Sequence, residues 1–137
     1  MPSRLLPVGM WAIMLVFIGI GCESKWKSME VTATAYTTPN AKKEKDKHNV
    51  TAWGHRLEPG MKAIAVSRDL IPLGLTNETK VKIKGFKGEY LVLDKMNKRW
   101  HKKIDIYFGH NRKAADEWGK RPVIISWNPK LENPSKR

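Results

Sequence analysis

The chain has 137 residues, with 26 Lys and Arg against 13 Asp and Glu for a formal charge of +13. That length sets a single domain, and a hydrophobic content of 41% excludes a disordered polycation, because it suffices to bury a small core. The charge asks for an acidic partner, whether nucleic acid, an anionic membrane or an anionic wall polymer.

The N-terminus narrows that choice. Residues 1–21 carry one charge, Arg4, then an apolar run from Met10 to Ile18 and the small-residue stretch Gly19-Ile20-Gly21. A basic start, a short apolar core and small residues describe an export signal, and the run is short for a membrane span. The single cysteine, Cys22, follows at the expected cleavage point, and the arrangement resembles a bacterial lipoprotein signal in which Cys22 is lipidated. Glu23 fits sorting to the outer membrane, facing the periplasm. Export excludes nucleic acid and leaves peptidoglycan and anionic headgroups as the polyanions. Residues 22–28 then read as a tether.

Residues 29–37 alternate with β-branched side chains, placing Val31, Ala33 and Ala35 on one face and Thr32, Thr34 and Tyr36 on the other. The charge run 41–48 reads as a solvated loop. Glu58-Pro59-Gly60 turns the chain into a short strand over 62–66, and Pro72 with Gly74 predicts a tight bend after it. Residues 79–84 alternate Val81 and Ile83 inward with lysines outward. Residues 88–108 read as two strands joined by a basic turn, Asp94 ending the first and Asp105 lying between Ile104 and Ile106 in the second. Asn111 and Gly119 delimit a short helix over 112–118. A last strand over 121–127 precedes a polar tail, 128–137. There are no internal repeats, and the pattern implies a small, mostly β closed domain, a barrel over 29–127.

Two aspartates in apolar strands are costly unless paired, hydrogen-bonded or used as acids. The residues alone leave Asp94 as a pair for Lys95 or a turn cap, and Asp105 as an ion pair with Lys103 or an arginine. The ordered motifs Thr34-Ala35-Tyr36, Ile64-Ala65-Val66, Ile71-Pro72-Leu73-Gly74, Leu93-Asp94, Ile104-Asp105-Ile106-Tyr107 and 115–119 resemble the three-aspartate (3D) domain. That domain also forms the catalytic part of membrane-bound lytic transglycosylase A. The resemblance covers residues 30–127 and implies a mainly β fold, a small double-psi β-barrel with one short C-terminal helix. It implies a carbon–oxygen lyase that cleaves peptidoglycan glycan strands without water, leaving 1,6-anhydromuramyl ends.

Asp105 matches the family's catalytic acid/base and Asp94 its second aspartate. The place of the first aspartate is held by Ser67, so Asp69 either substitutes for it or is a surface turn residue. The residues Lys95 to Lys102 replace the family's glycine-rich loop with a bulkier, more basic one. Tyr36, Trp53 and Trp100 are the aromatics placed to contact sugar, with core packing an equal reading for Trp53, whereas Trp118 and Trp127 read as core. His48, His55, His101 and His110 lack metal-ligand spacing, so no metal and no cofactor are expected. The expectation is a monomeric envelope lipoprotein acting on peptidoglycan; the rival is a non-catalytic peptidoglycan-binding envelope lipoprotein.

Overall fold

The computed structural model describes residues 25–40 and 49–129. The expected export signal, Cys22, the charge run with His48, and residues 130–137 of the expected tail lie outside them. Six strands close into a barrel in the order β1-β5-β2-β4-β3-β6: β1 Lys27–Tyr36, β2 Ala63–Val66, β3 Lys80–Ile83, β4 Tyr90–Lys95, β5 Lys103–Tyr107 and β6 Lys120–Trp127. Among the described residues a single α-helix, α1 (Arg112–Trp118), packs against β1.

The alternation seen in the sequence becomes the inside and outside of the barrel. Val31 and Ala33 of β1, Val81 and Ile83 of β3, Ile104 and Ile106 of β5, and Ile125 and Trp127 of β6 point inward and are almost fully buried. β2 has no exposed face at all. Ile64 and Val66 fill the barrel, while Ala63 joins Leu57, Leu93 and Tyr107 in a second apolar cluster. Trp127 is core, as expected, and its indole N–H donates to Leu73 O at 3.0 Å. Leu73 closes the 3-10 turn Arg68–Leu73, which ends at Gly74 with φ 100. α1 starts and stops where Asn111 and Gly119 place it: the Asn111 side chain accepts from Ala114 N, and Gly119 N donates to Ala115 O.

The sequence reading fails at one junction. β4 and β5 are not a hairpin, because β2 lies between them, parallel to β4 and antiparallel to β5. Likewise β5 lies between β1 and β2, parallel to β1. Each arrangement is a psi motif, and the two interlock. Exchanging β1, β2, β3 with β4, β5, β6 reproduces every pairing, so the barrel is a double-psi barrel with a pseudo-two-fold between β2 and β5. The segment between β4 and β5 must therefore cross the end of β2. A smaller difference is that β1 takes in Lys27 and Ser28, expected in the tether, by pairing them with Trp127 and Ser126.

Candidate functional site

Four neighbouring strands place Thr34, Asp105, Ala65 and Asp94 in one row across the barrel wall: Thr34 pairs with Asp105, Asp105 with Ala65, and Ala65 with Asp94. Asp94 joins that row through a register shift. Ile64 pairs with Val92, yet Ala65 pairs with Asp94, leaving Leu93 as the extra residue. Without the bulge, strand parity would give Ala65 Leu93 as its partner and turn Asp94 to the inner face. The bulge thus brings the second carboxylate to the side that carries Asp105. Two strand spacings put the Asp94 and Asp105 backbones about 10 Å apart.

Asp105 is half-buried, and burial pushes its carboxyl above the usual range; the nearby charge of Asp94 adds to this. The Thr34 hydroxyl, donating to Oδ1 at 3.0 Å, and the ammonium of Lys103 pull the other way without cancelling it. The carboxyl is therefore held toward its protonated form by its surroundings. Asp94 is used differently. Its Oδ1 accepts from Ala52 N at 2.9 Å and from Lys95 N at 2.8 Å, fastening the turn at 51–54 to β4. That is a capping role, but for a turn some forty residues away.

Tyr36 lies near both acids. Its hydroxyl is raised well above the usual phenol range by burial first, then by the charges of Asp94, Asp105 and Tyr107. The Tyr36 ring sits 5.4 Å from that of Tyr107. Among the described residues its Oη is buried without a hydrogen-bond partner. Trp53 packs against the core, the first of the two roles weighed for it, and Lys95 Nζ lies 5.9 Å from its ring. Trp100 is beside the site through Lys103, whose Nζ is 3.6 Å from the ring centre, with the Arg99 guanidinium at 4.7 Å. Its ring thus gathers two cations of the segment between β4 and β5.

Asp69 lies off the row, exposed, in the turn after β2. Burial alone would raise its carboxyl, but hydrogen bonds from the Ser67 side chain and Lys102 N hold it below the usual range, helped by His101. Ser67, fully buried, also accepts from Lys103 N at 3.0 Å. Ser67 and Asp69 together fasten the start of β5. The described histidines have other duties: His55 bonds Asn77, His110 bonds Thr38, and His101 faces Asp69. Among the described residues no group of three His, Cys, Asp or Glu is placed to hold a metal, and no helix is long and apolar enough to cross a membrane.

Sequence reasoning did not single out the Thr34 hydroxyl as the partner of Asp105, or Ala52 N as that of Asp94. The parity of β1 put Thr34 on the same face as Tyr36. Only the parallel register of β1 on β5 sets it against Asp105, and no short-range pattern encodes that register.

The fold and the row define a double-psi barrel with one environment-raised carboxyl on its wall, flanked by a hydroxyl and a second, fastened carboxylate. No family model matches the chain. It is 33% identical over 103 residues to YabE of Bacillus subtilis (strain 168), a protein named for cell wall shaping; the match covers 75% of this chain and 23% of the relative, so the chain spans about a quarter of that protein's length. Two solved structures resemble it distantly, each with a TM-score of 0.49. The apo expansin of Clavibacter michiganensis is 16% identical, the match covering 72% of this chain and 49% of that one. The Streptomyces papain inhibitor is 18% identical, with 74% and 93% covered. Likeness at that level says nothing about activity.

Proposed function

We propose that the protein is an exported cell-envelope protein of the 3D-domain type that cleaves peptidoglycan glycan strands as a lytic transglycosylase, with Asp105 as acid and base. The observation that carries this reading is the half-buried Asp105 carboxyl, raised by its burial and set beside Thr34 on the barrel wall. The relation to a protein named for cell wall shaping supports the substrate class. Lipidation at Cys22 and residence at the outer membrane belong to the same proposal.

One raised carboxyl is enough for this chemistry. Hydrolytic glycosidases use two carboxyl groups at a set separation. Here the protonated Asp105 gives its proton to the glycosidic oxygen as the bond to the muramyl anomeric carbon breaks. The resulting Asp105 carboxylate then takes the proton from the muramyl C6 hydroxyl, whose oxygen bonds the anomeric carbon and closes a 1,6-anhydro ring. The acid is regenerated, and no water is consumed. Thr34 stabilises the carboxylate stage, and burial restores the acid stage. Asp94 holds the 51–54 turn and contributes its field.

A second reading, a non-catalytic peptidoglycan-binding module, is favoured by the one oddity of the site: Thr34 and Lys103 both stabilise the carboxylate form of Asp105 before any substrate is bound. Digestion of purified sacculi separates the two. The transglycosylase releases 1,6-anhydromuropeptides, and Asp105→Asn lowers their release by about 100-fold or more, as loss of a general acid does. Sacculus binding without products from the unsubstituted protein would select the binding module, and reducing-end products would mean hydrolysis.

A further inference from the structure

The segment that crosses from β4 to β5 is the main departure from the 3D pattern, and it is built more firmly than a connector requires. Residues 95–103 hold four lysines and one arginine and no acid. Their backbone is pinned at both ends. Met96 N donates to Val66 O at 2.8 Å, and Arg68 Nε donates to Met96 O at 3.0 Å. At the other end Lys102 N donates to Asp69 Oδ2 at 2.9 Å, Lys103 N donates to Ser67 Oγ, and Lys102 O accepts from Thr32 N at 3.0 Å. Lys102 is held between those bonds with φ 45, a left-handed conformation that a lysine adopts only when its surroundings impose it. Trp100 then arranges the charges, with Lys103 and Arg99 both against its ring. Asp69, 4.0 Å from His101, is the acid set against this segment, and its carboxylate is taken up by Lys102 N, the Ser67 side chain and His101.

We infer that residues 95–103 form a preorganised subsite for carboxylates carried on the glycan strand, namely those of the peptide stems. This rests on the proposed action on peptidoglycan and names the form of the substrate: stem-bearing strands, not bare glycan. The placement fits the chemistry. Lys103 is two residues from Asp105 on the same face, about 7 Å along the strand. A stem leaves the muramyl residue, the sugar whose C6 hydroxyl must reach Asp105, so its first carboxylates emerge at that distance scale. Lys98, Arg99 and Lys102 are exposed beyond it and carry the cationic surface outward. Fixing the cations in advance lowers the ordering cost of binding, which is what the pinned backbone and the Trp100 platform achieve. In place of an acid, Ser67 with Asp69 supplies the clamp that holds this segment.

The test uses the full chain and purified glycan strands in three forms: with stems, with stem carboxylates converted to amides, and stripped of stems by an amidase. Binding is measured at low and high salt, and cleavage products are assayed in parallel. Two or three exposed ion pairs of ordinary strength predict about tenfold tighter binding of the stem-bearing form. The preference shrinks at high salt, disappears with amidated stems, and is lost in Lys98→Gln/Arg99→Gln, whose side chains lie away from Asp105 and whose melting temperature is checked against the parent. Equal binding of all three forms overturns the subsite and leaves the transglycosylase reading standing. A preference intact in a protein that yields no anhydro products supports the subsite and rejects that reading. A soluble phosphate-bearing wall polymer that binds tighter than stem-bearing glycan, and displaces it, assigns the segment to phosphate and overturns the proposal.

Discussion

Tyr36 offers a perturbation whose direction is unusual enough to be informative. Its hydroxyl is buried with no partner among the described residues, and a buried unpaired hydroxyl costs about 1–3 kcal/mol of desolvation. Tyr36→Phe deletes only that oxygen and keeps the ring against Tyr107. The variant is therefore expected to be as stable as the parent or more stable, by about 1 kcal/mol if the full lower bound is recovered. For a domain of this size that corresponds to a rise of roughly 4–8 °C in melting temperature, read by circular dichroism or calorimetry. The same burial keeps the hydroxyl out of reach of a sugar docked on the barrel wall, so its loss removes only a polar neighbour of Asp94 and Asp105, and any sacculus turnover is expected to stay within about threefold of the parent. A loss of stability above about 1 kcal/mol would refute the reasoning, because it would show the hydroxyl already bonded in the free protein.

Three further outcomes follow from the same geometry. Because the folded state raises the Asp105 pKa, its protonated form contributes stability fully below the ordinary carboxylate range, and this is lost as pH rises through the raised value; Asp105→Asn should gain on the parent as pH rises from the ordinary carboxylate range, and a parent that gains instead would show net pairing of the carboxylate. Asp69→Ala removes the acceptor of Lys102 N and should cost on the order of 1 kcal/mol while speeding tryptic cleavage at Lys98 and Arg99; unchanged cleavage would mean that Asp69 does not hold the segment. Gly74→Ala places a Cβ 2.5 Å from the Pro129 Cβ at a φ of 100, so it should destabilise by at least about 1–2 kcal/mol from the backbone alone, measured by urea unfolding; a neutral result would mean that residue 129 does not pack there.

What was legible in the sequence was whatever a short window encodes. Asn111 and Gly119 set the ends of α1, and Val81 and Ile83 set the inward face of β3, because capping and alternation act over a few residues. The isoleucines beside Asp105 announced a carboxyl in an apolar strand, and burial does raise it. What was not legible was who stands next to whom. Nothing in residues 88–108 shows that β2 will be inserted between the two strands they form, since its pairings with them join segments some thirty to forty residues apart. For the same reason Thr34 could not be matched to Asp105, seventy-one residues away, nor Ala52 to Asp94. Asp69 was left between substitute acid and turn residue because the choice depends on Lys102 N, which only the fold brings to it.

The pseudo-two-fold relates the four places of the row to one another. It exchanges β1 with β4 and β2 with β5, so Thr34 corresponds to Asp94 and Ala65 to Asp105. The four places are thus two kinds of place, each filled twice with different side chains. An acid at Ala65 would face Asp105 directly, with backbones about 5 Å apart, and the two would share their protons. Alanine there, itself buried, leaves Asp105 without an acid directly opposite it. The outer pair differ in how they arrive: Thr34 by a regular parallel register, Asp94 only because Leu93 is bulged out. An unbulged β4 would have kept the symmetry and turned Asp94 inward, where a carboxylate beside Val92 would lack both of its N–H donors. The bulge, a departure from symmetry one residue long, is what lets a second carboxylate sit near the acid, bonded to Ala52 and Lys95, and add its field.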